Sequence, residues 1–207
     1  FILLYNKIND KAMNNMTEII IGAGASGLAC AIRLKQNMPN DEVILLERLD
    51  TLGKKILATG NGRCNLSNEH AKHHREVINF FNNIGLKTKS DSEGRIYPYS
   101  NQAATVRDML EKECIRLGVQ IITDCTVKSV DRDLIVSTDC GMFYADSVII
   151  AAGGMAQSSL GSNGSGYEIL KNLGHRITPL SPALVQLVSS SKYPRQLKGQ
   201  RVKGNMK

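Results

Sequence analysis

The chain of 207 residues lacks any apolar run approaching the roughly 20 residues that a membrane-spanning helix needs. The apolar start, residues 1–5, has no basic flank and no small-residue cleavage site, so it does not resemble a secretory signal. Internal repeats and low-complexity segments are also lacking. We therefore predict a globular protein with no membrane partner, and we set residues 1–15 aside as a non-native or disordered leader, because Met13 or Met16 is the better natural start.

The cysteines lack the pattern of a disulfide framework. Their number is odd, and none of them forms a C-x-x-C pair: Cys30, Cys64, Cys114, Cys125 and Cys140. This argues against structural disulfides, a zinc site and a thioredoxin-type dithiol. It is typical of a reducing compartment, so we predict a cytoplasmic protein without a metal.

Acidic residues are lacking after Glu168. Residues 169–207 carry eight Lys and Arg and a net charge of +8, whereas residues 1–168 have a net charge of −1. Such a basic segment can bind nucleic acid or an anionic surface. No aromatic ladder or nucleic-acid motif accompanies it, so we favour a solvated strand or linker over a nucleic-acid partner.

The most informative feature that is present is the sequence GAGASG at 22–27, which follows the apolar run 17–21. Gly22 would permit a tight strand-to-helix turn, Gly24 the approach of a pyrophosphate, and Gly27 close packing of the helix on the strand. Glu47, 20 residues after the last glycine, can accept hydrogen bonds from ribose hydroxyls. Its charge would repel a 2′-phosphate. The pattern predicts an FAD or NAD site rather than an NADP site, the alternative being a glycine-rich turn that binds nothing.

The order of elements predicts an α/β fold with a doubly wound parallel sheet. Apolar runs at 17–21, 43–46, 119–123 and 147–152 are typical of buried parallel strands. Helices are predicted at 26–36, 75–83 and 102–117, and a long glycine-rich loop at 53–68. A three-stranded antiparallel meander is predicted at 126–130, 134–138 and 142–146. Pro98 argues against a central position for a strand at 94–98. Such a meander before the last strand is typical of FAD domains of the glutathione-reductase type.

At this level of detail the sequence resembles the BaiN-type, or aminoacetone-oxidase-like, bacterial FAD-dependent oxidoreductases. The matching segments are GAGASGL (22–28), GKKILATGNGRCNLSN (53–68), GRIYPYS (94–100), VIIAAGG (148–154), GSNGSGYEILKNLGH (161–175) and PLSPALVQL (179–187). Ser165 departs from the acid that related sequences often carry there. The resemblance implies a discontinuous FAD domain, here its N-terminal portion at 16–180, and the start of an inserted substrate-side domain at 181–207.

Carried over residue by residue, the resemblance implies a set of FAD contacts. Gly22, Gly24, Ala25, Ser26 and Gly27 fall at the pyrophosphate turn, Glu47 at the ribose, Arg48 and Lys54 near the adenosine or phosphates, Thr59, Gly60, Asn61, Arg63, Cys64 and Asn65 near the ribityl chain or flavin, Val127 at the adenine through its backbone, and Ala152 and Gly153 beside the cofactor. No residue is predicted to be catalytic.

Several of these features have a plainer structural interpretation. A cysteine such as Cys64 is more often a packing thiol than a redox thiol. A histidine near a helix C-terminus, such as His175, more often interacts with the helix dipole than acts as a base. Lys54 and Lys55 are solvated or contact phosphate with about equal weight. The loop 161–166 can be a helix cap instead of a binding loop.

We predict a flavoprotein oxidoreductase acting on a small organic substrate such as an enone or an amine, with FAD as cofactor. Because the sequence has no second G-x-G-x-x-G, NAD(P)H as electron donor would bind transiently. Three alternatives stay open: an NAD-binding dehydrogenase, a nonenzymatic dinucleotide-binding module, and a flavoprotein acting on RNA.

Overall fold

The structure is a computed structural model that describes residues 4–6 by their backbone, and residues 15–182 and 190–191. The chain divides into two compact units, Phe1–Ile177 and Thr178–Lys207. Most of the domain predicted at 181–207, with its basic residues, lies outside the described residues. Within the described part of the chain, no helix is long and apolar enough to cross a membrane.

The elements of the first unit follow one another in a strand–helix order with two antiparallel additions. In chain order they are β1 (Leu4–Asn6), β2 (Thr17–Ile21), α1 (Ala25–Asn37), β3 (Glu42–Leu46), α2 (Lys54–Ala58), β4 (Ser67–Asn68), α3 (His74–Asn83), β5 (Thr88–Ser90), β6 (Arg95–Pro98), α4 (Ala103–Arg116), β7 (Gln120–Ile122), β8 (Val127–Val130), β9 (Ile135–Thr138), β10 (Met142–Tyr144), β11 (Ser147–Ile150) and α5 (Ser165–Asn172). Single 3₁₀ turns lie at Thr59–Gly62 and Ser158–Leu160.

The main sheet has the strand order β1-β11-β2-β3-β7, in which β11, β2, β3 and β7 are parallel. The predicted doubly wound sheet is therefore confirmed, and the meander β8-β9-β10 forms a separate antiparallel sheet. Residues 4–6 belong to the segment that the sequence analysis set aside as a leader. They pair antiparallel with Ser147–Ile149 at the sheet edge.

The apolar strands are buried on both faces, which explains why their sequences do not alternate. Ile20, Leu45 and Ile149 belong to a core that includes Leu28 of α1 and Leu110 of α4. Their strand neighbours belong to a second core with the meander and α5: Ile19, Ile21, Ile44, Leu46, Val148, Ile150, Val136 and Ile169. The result is three layers, with helices on one face of the sheet and the meander with α5 on the other.

Two local expectations were wrong. β6 is the central strand of a small sheet, β4-β6-β5, although it contains Pro98. The proline is tolerated because it is the last residue of β6 and pairs only with Thr88 of β5, while β4 reaches only Ile96 and Arg95. The stretch after Gly53, expected to be a long loop, contains the short helix α2 and a 3₁₀ turn.

The cysteines give a third correction, because Cys125 and Cys140 form a disulfide with a Cα–Cα distance of 5.7 Å. The meander folds back on itself and brings together two residues that are 15 positions apart in the sequence. Cys30, Cys64 and Cys114 are free. The two bonded sulfurs also belong to the potential metal-ligand group Cys125, Asp139 and Cys140, and sulfurs bonded to each other are not thiolate ligands.

Glu18 of β2 is a buried acid with a consequence for stability. Its side chain is 5% exposed, and its Oε2 has no hydrogen-bond partner within the described residues. Burial raises the pKa of Glu18, the nearby carboxylates of Asp41 and Asp146 raise it further, and the hydroxyl of Ser147 partly opposes them. At neutral pH the folded chain must therefore either bury the charge of the Glu18 carboxylate or keep a proton on it. Either state costs free energy relative to the unfolded chain, in which the carboxylate is ionised and solvated.

We expect Glu18→Gln to stabilise the protein at pH 7 by about 1 kcal/mol, the order of a buried polar penalty. Because the pKa of Glu18 is raised in the folded state, its contribution to the free energy of unfolding is fully present below the unfolded pKa of about 4.3. This contribution is lost as pH rises through the folded pKa. The advantage of the variant should vanish at acid pH. Urea unfolding from pH 4 to 8 measures it, with the exposed Glu42→Gln as control. An advantage independent of pH would contradict this origin.

Candidate cofactor-binding site

A groove of about 600 Å³ lies at the carboxyl ends of the parallel strands. Its wall includes the ends of β2 and β3 and the residues that follow β11. The strands β3 and β7 extend the sheet on one side of β2, and β11 is added later on the other side, so the direction of strand addition reverses at β2 and leaves a crevice there. Open α/β sheets bind their ligands at such a switch point, and the volume is that of a cofactor site.

The glycine turn 22–27 shapes one wall of the groove. Gly22 has φ +103°, and a Cβ there would lie 2.7 Å from the carbonyl oxygen of Ala151. A Cβ on Gly27 would lie 1.9 Å from the carbonyl oxygen of Gly22, so this glycine lets α1 pack against the turn. A Cβ on Gly24 would meet nothing within 4 Å, and Gly24 lines the groove. Two glycines thus serve the fold, and the third leaves space for a ligand.

Helix α1 begins at this turn with its first N–H groups available. Gly24 is the N-cap, and in the described part of the chain no side chain caps the helix. Ala25 and Ser26 of the first turn line the groove. Unpaired N–H groups and the helix dipole favour an anion here, so the geometry fits a pyrophosphate.

The Glu47 carboxylate lies beside the groove and links the turn after β2 to the segment after β3. Its Oε2 accepts a hydrogen bond from the Ala23 N–H at 2.8 Å, and its Oε1 accepts one from the Leu49 N–H at 3.0 Å. Each carboxylate oxygen retains a lone pair, and the half-buried side chain lines the groove. The carboxylate is therefore held in place and can still accept hydrogen bonds from ribose hydroxyls.

The segment after Gly53 forms the opposite wall. Gly53, with φ +61°, donates its N–H to the carbonyl of Ala23 at 2.9 Å and so joins α2 to the glycine turn. Thr59 and Cys64 line the groove. Cys64 is 7% exposed, and burial raises the pKa of its thiol. A buried thiol with a raised pKa is poorly nucleophilic, which supports the packing interpretation.

Two cations hold the loop 153–162 against this wall. Lys55 of α2 donates from Nζ to the hydroxyl of Ser162, and to the carbonyl of Ala156 at 2.9 Å. Arg48 donates from Nη2 to the carbonyl of Gly161 at 3.1 Å. Both cations line the groove, as does the buried Ser162. No role was predicted for Ser162, and Lys55 was predicted to be either solvated or in contact with phosphate. The glycine-rich loop 161–166 is the one sequence feature that indicates the contact between them.

Most of the predicted contact residues meet in this groove. Its lining includes Gly22, Gly24, Ala25, Ser26, Glu47, Arg48, Lys54, Thr59, Cys64, Asn65, Val127, Ala152 and Gly153. Gly27, Gly60, Asn61 and Arg63 are not among the lining residues. Arg63 instead stacks over the ring of Tyr97, 4.5 Å from its centroid. The contacts of all these residues with FAD remain predictions.

The sequence matches the family described as HI0933-like protein Rossmann domain over residues 16–76 and 72–192. These two stretches cover most of the chain and include both walls of the groove. The chain belongs to the HI0933-like family. The resemblance inferred from the sequence motifs is thereby confirmed.

Two kinds of curated relatives match the chain over about half of their own length. The 3-dehydro-bile acid delta(4,6)-reductase of Clostridium scindens is 43% identical over an alignment of 190 residues that covers 81% of this chain and 46% of the relative. The ribosomal RNA dihydrouridine synthase of Escherichia coli is 26% identical over 195 residues, 84% of this chain and 48% of the relative.

The similar solved structures share less sequence identity with this chain than the curated relatives do. Thermovibrio ammonificans THI4 is 18% identical with a TM-score of 0.46, over 56% of this chain and 40% of that one. The PF1083 protein from Pyrococcus furiosus is 15% identical with a TM-score of 0.47, over 79% of this chain and 66% of that one.

The HI0933-like family is a family of FAD-dependent oxidoreductases, and FAD is its cofactor. The groove of this chain fits FAD by three independent features. They are the open space at Gly24, the uncapped start of α1 and the fixed carboxylate of Glu47. Family membership and the meander disfavour the alternative of an NAD-binding dehydrogenase.

Proposed function

We propose that the protein is an FAD-dependent reductase that saturates a carbon–carbon double bond conjugated to a carbonyl group, with NAD(P)H as a transient electron donor. The observation that carries the proposal is the 43% identity to a bile acid delta(4,6)-reductase over 190 residues. The more distant dihydrouridine synthases support the same reaction class, because dihydrouridine is also the product of saturating a ring double bond next to a carbonyl.

In this proposal the chain binds and orients the cofactor. The start of α1 holds the pyrophosphate, Glu47 holds the ribose, and the backbone at Val127 contacts the adenine. Thr59 and Asn65 also line the groove, and in this proposal they contact the ribityl chain or the ring. Bound FAD supplies two-electron chemistry at its ring, and the protein supplies position and electrostatics.

We assign no catalytic acid or base. The chain matches about half of the length of the curated relatives, so we propose to seek the residues that donate a proton to substrate in the half that it does not match. Cys64 does not fill this role well, because burial raises the pKa of its thiol and makes it a weaker proton donor.

A second candidate function is reduction of a pyrimidine base in RNA. It rests on the two rRNA dihydrouridine synthases at 26% identity and on the net charge of +8 over residues 169–207. Phosphate contacts by Lys and Arg would make such binding strongly dependent on salt. The lower identity makes it the second choice.

One experiment separates the two candidates. The full-length protein is loaded with FAD and mixed anaerobically with NADH or NADPH and either a 3-oxo-delta(4,6) steroid acid or a uridine-containing rRNA fragment. We expect consumption of the nicotinamide and loss of the near-ultraviolet absorption of the conjugated steroid. Dihydrouridine formation with no turnover of the steroid would overturn the enone proposal in favour of RNA, and turnover of neither would contradict both.

A further inference from the structure

The disulfide Cys125–Cys140 lies on the wall of the cofactor groove. Cys125 follows β7, is 1% exposed and lines the groove together with Thr126 and Val127. Cys140 lies in the exposed turn between β9 and β10. The bond therefore joins a solvent-facing turn to the segment predicted to contact the adenine.

Hydrogen bonds connect the disulfide with the residue predicted to bind ribose. The Cys125 N–H donates to the carbonyl of Glu47 at 2.9 Å, and the Asp124 N–H donates to the carbonyl of Leu49 at 3.1 Å. The Glu47 carboxylate in turn accepts the N–H of Leu49. Cys125 is thus one hydrogen bond away from the backbone of the acid, and its position affects the adenosine end of the groove.

The other side of the segment is attached to the turn that carries Cys140. The Thr126 N–H donates to Oδ1 of Asp139 at 2.7 Å, and the Asp139 N–H donates to the carbonyl of Thr126 at 3.1 Å. The Cys140 N–H donates to Oγ1 of Thr138 at 3.1 Å. These contacts are exposed or partly exposed to water, so the buried sulfur of Cys125 is the firmest link between turn and groove.

We propose that Cys125–Cys140 is a reversible thiol–disulfide site that sets the affinity of the adenosine end for FAD, and that its reaction partner is a small dithiol or a protein dithiol. The inference rests on the FAD binding proposed above. It concerns cofactor affinity and not substrate, and it can fail while the reductase function holds.

The exchange follows from the difference in exposure between the two sulfurs. A thiolate of the dithiol attacks the exposed Sγ of Cys140, the S–S bond breaks, and Cys125 leaves with the electron pair and takes up a proton. The second thiol of the reductant then displaces Cys140, which is also protonated. Two electrons and two protons reach the protein, and the reductant becomes a disulfide.

Breaking the bond removes the covalent link that holds residues 124–127 against the turn. The segment then samples more conformations, and ordering it again on binding costs part of the affinity. We expect the FAD dissociation constant to rise about fivefold, at the low end of the coupling found between linked sites. By linkage, bound FAD must make the disulfide about fivefold harder to reduce, which corresponds to about 20 mV.

The test measures FAD affinity and the thiol state of the full-length protein. Wild type is titrated with FAD before and after dithiothreitol, and alkylation with mass spectrometry identifies which cysteines carry the disulfide. We expect reduced wild type and Cys140→Ser to bind FAD about fivefold more weakly than oxidised wild type, and Cys140→Ser not to respond to the reductant. Cys30→Ala, at a free cysteine outside the groove lining, should respond as wild type does.

Two results would overturn the proposal. One is equal FAD affinity of the oxidised and fully reduced wild type. The other is that Cys125 and Cys140 carry free thiols in protein equilibrated with an oxidised dithiol. Because neither readout uses turnover, a protein that binds FAD in both states but reduces no enone would contradict the proposed function and leave this site standing.

Discussion

Gly24→Ala should abolish tight FAD binding while leaving the fold intact, whereas Gly27→Ala should destabilise the fold. A methyl group on Gly24 meets no protein atom within 4 Å and enters the space where the pyrophosphate would approach. The same methyl on Gly27 would lie 1.9 Å from the carbonyl oxygen of Gly22. Two glycines of one motif thus separate binding from folding.

The expected magnitudes are large and different. Gly24 has φ −76°, which alanine adopts readily, so we expect its free energy of unfolding to stay within about 0.5 kcal/mol of wild type. FAD affinity should fall by roughly a hundredfold, or about 3 kcal/mol. Gly27→Ala should lower the free energy of unfolding by about 3 kcal/mol, as overpacking against fixed backbone does.

Urea unfolding of the apoprotein and titration with FAD measure the two quantities separately. Ala104→Gly, at an exposed position of α4 outside the groove lining, controls for a change in helix propensity, which costs about 1 kcal/mol. If Gly24→Ala bound FAD as tightly as wild type, the pyrophosphate would not lie at this turn. Unchanged stability of Gly27→Ala would mean that the helix start shifts easily, contrary to the close packing in the structure.

The sheet was predictable because local sequence and tertiary position agree there. β2 has the predicted bounds, Thr17–Ile21, since its apolar residues face two cores and any polar interruption would be costly. β8, β9 and β10 follow the alternation and turns of the meander. The glycine turn was predictable for the same reason, because Gly22 and Gly27 each meet a steric demand of the strand–helix junction.

Contacts between distant segments were not predictable from the sequence. Lys55 reaches Ser162, 107 residues later, and Cys125 reaches Cys140 only because the meander folds back. In both pairs, the residues next to one partner in the sequence do not indicate which residue it contacts. Cys64 also has a positive φ, at +58°, which its residue type does not favour. Such strained backbone is retained where surrounding contacts fix it, as they do beside this groove.

Glu47→Ala should weaken FAD binding by roughly a hundredfold, because the carboxylate is expected to bind both ribose hydroxyls and each hydrogen bond to a charged group contributes about 1.5–3 kcal/mol. The apoprotein should also lose some stability, since the N–H groups of Ala23 and Leu49 lose their acceptor. Glu47→Gln should be intermediate. Its amide keeps one acceptor oxygen but turns an NH₂ group toward one of the two backbone donors.

Quenching of flavin fluorescence on titration of the apoprotein measures the dissociation constant, and urea unfolding reports the stability of the same variants. Glu42→Ala is the matched control. Glu42 is the exposed first residue of β3, whereas Glu47 follows the other end of the same strand. The control should bind FAD as wild type does. Tight FAD binding by Glu47→Ala would show that the carboxylate only braces the glycine turn, and the ribose would then need another acceptor.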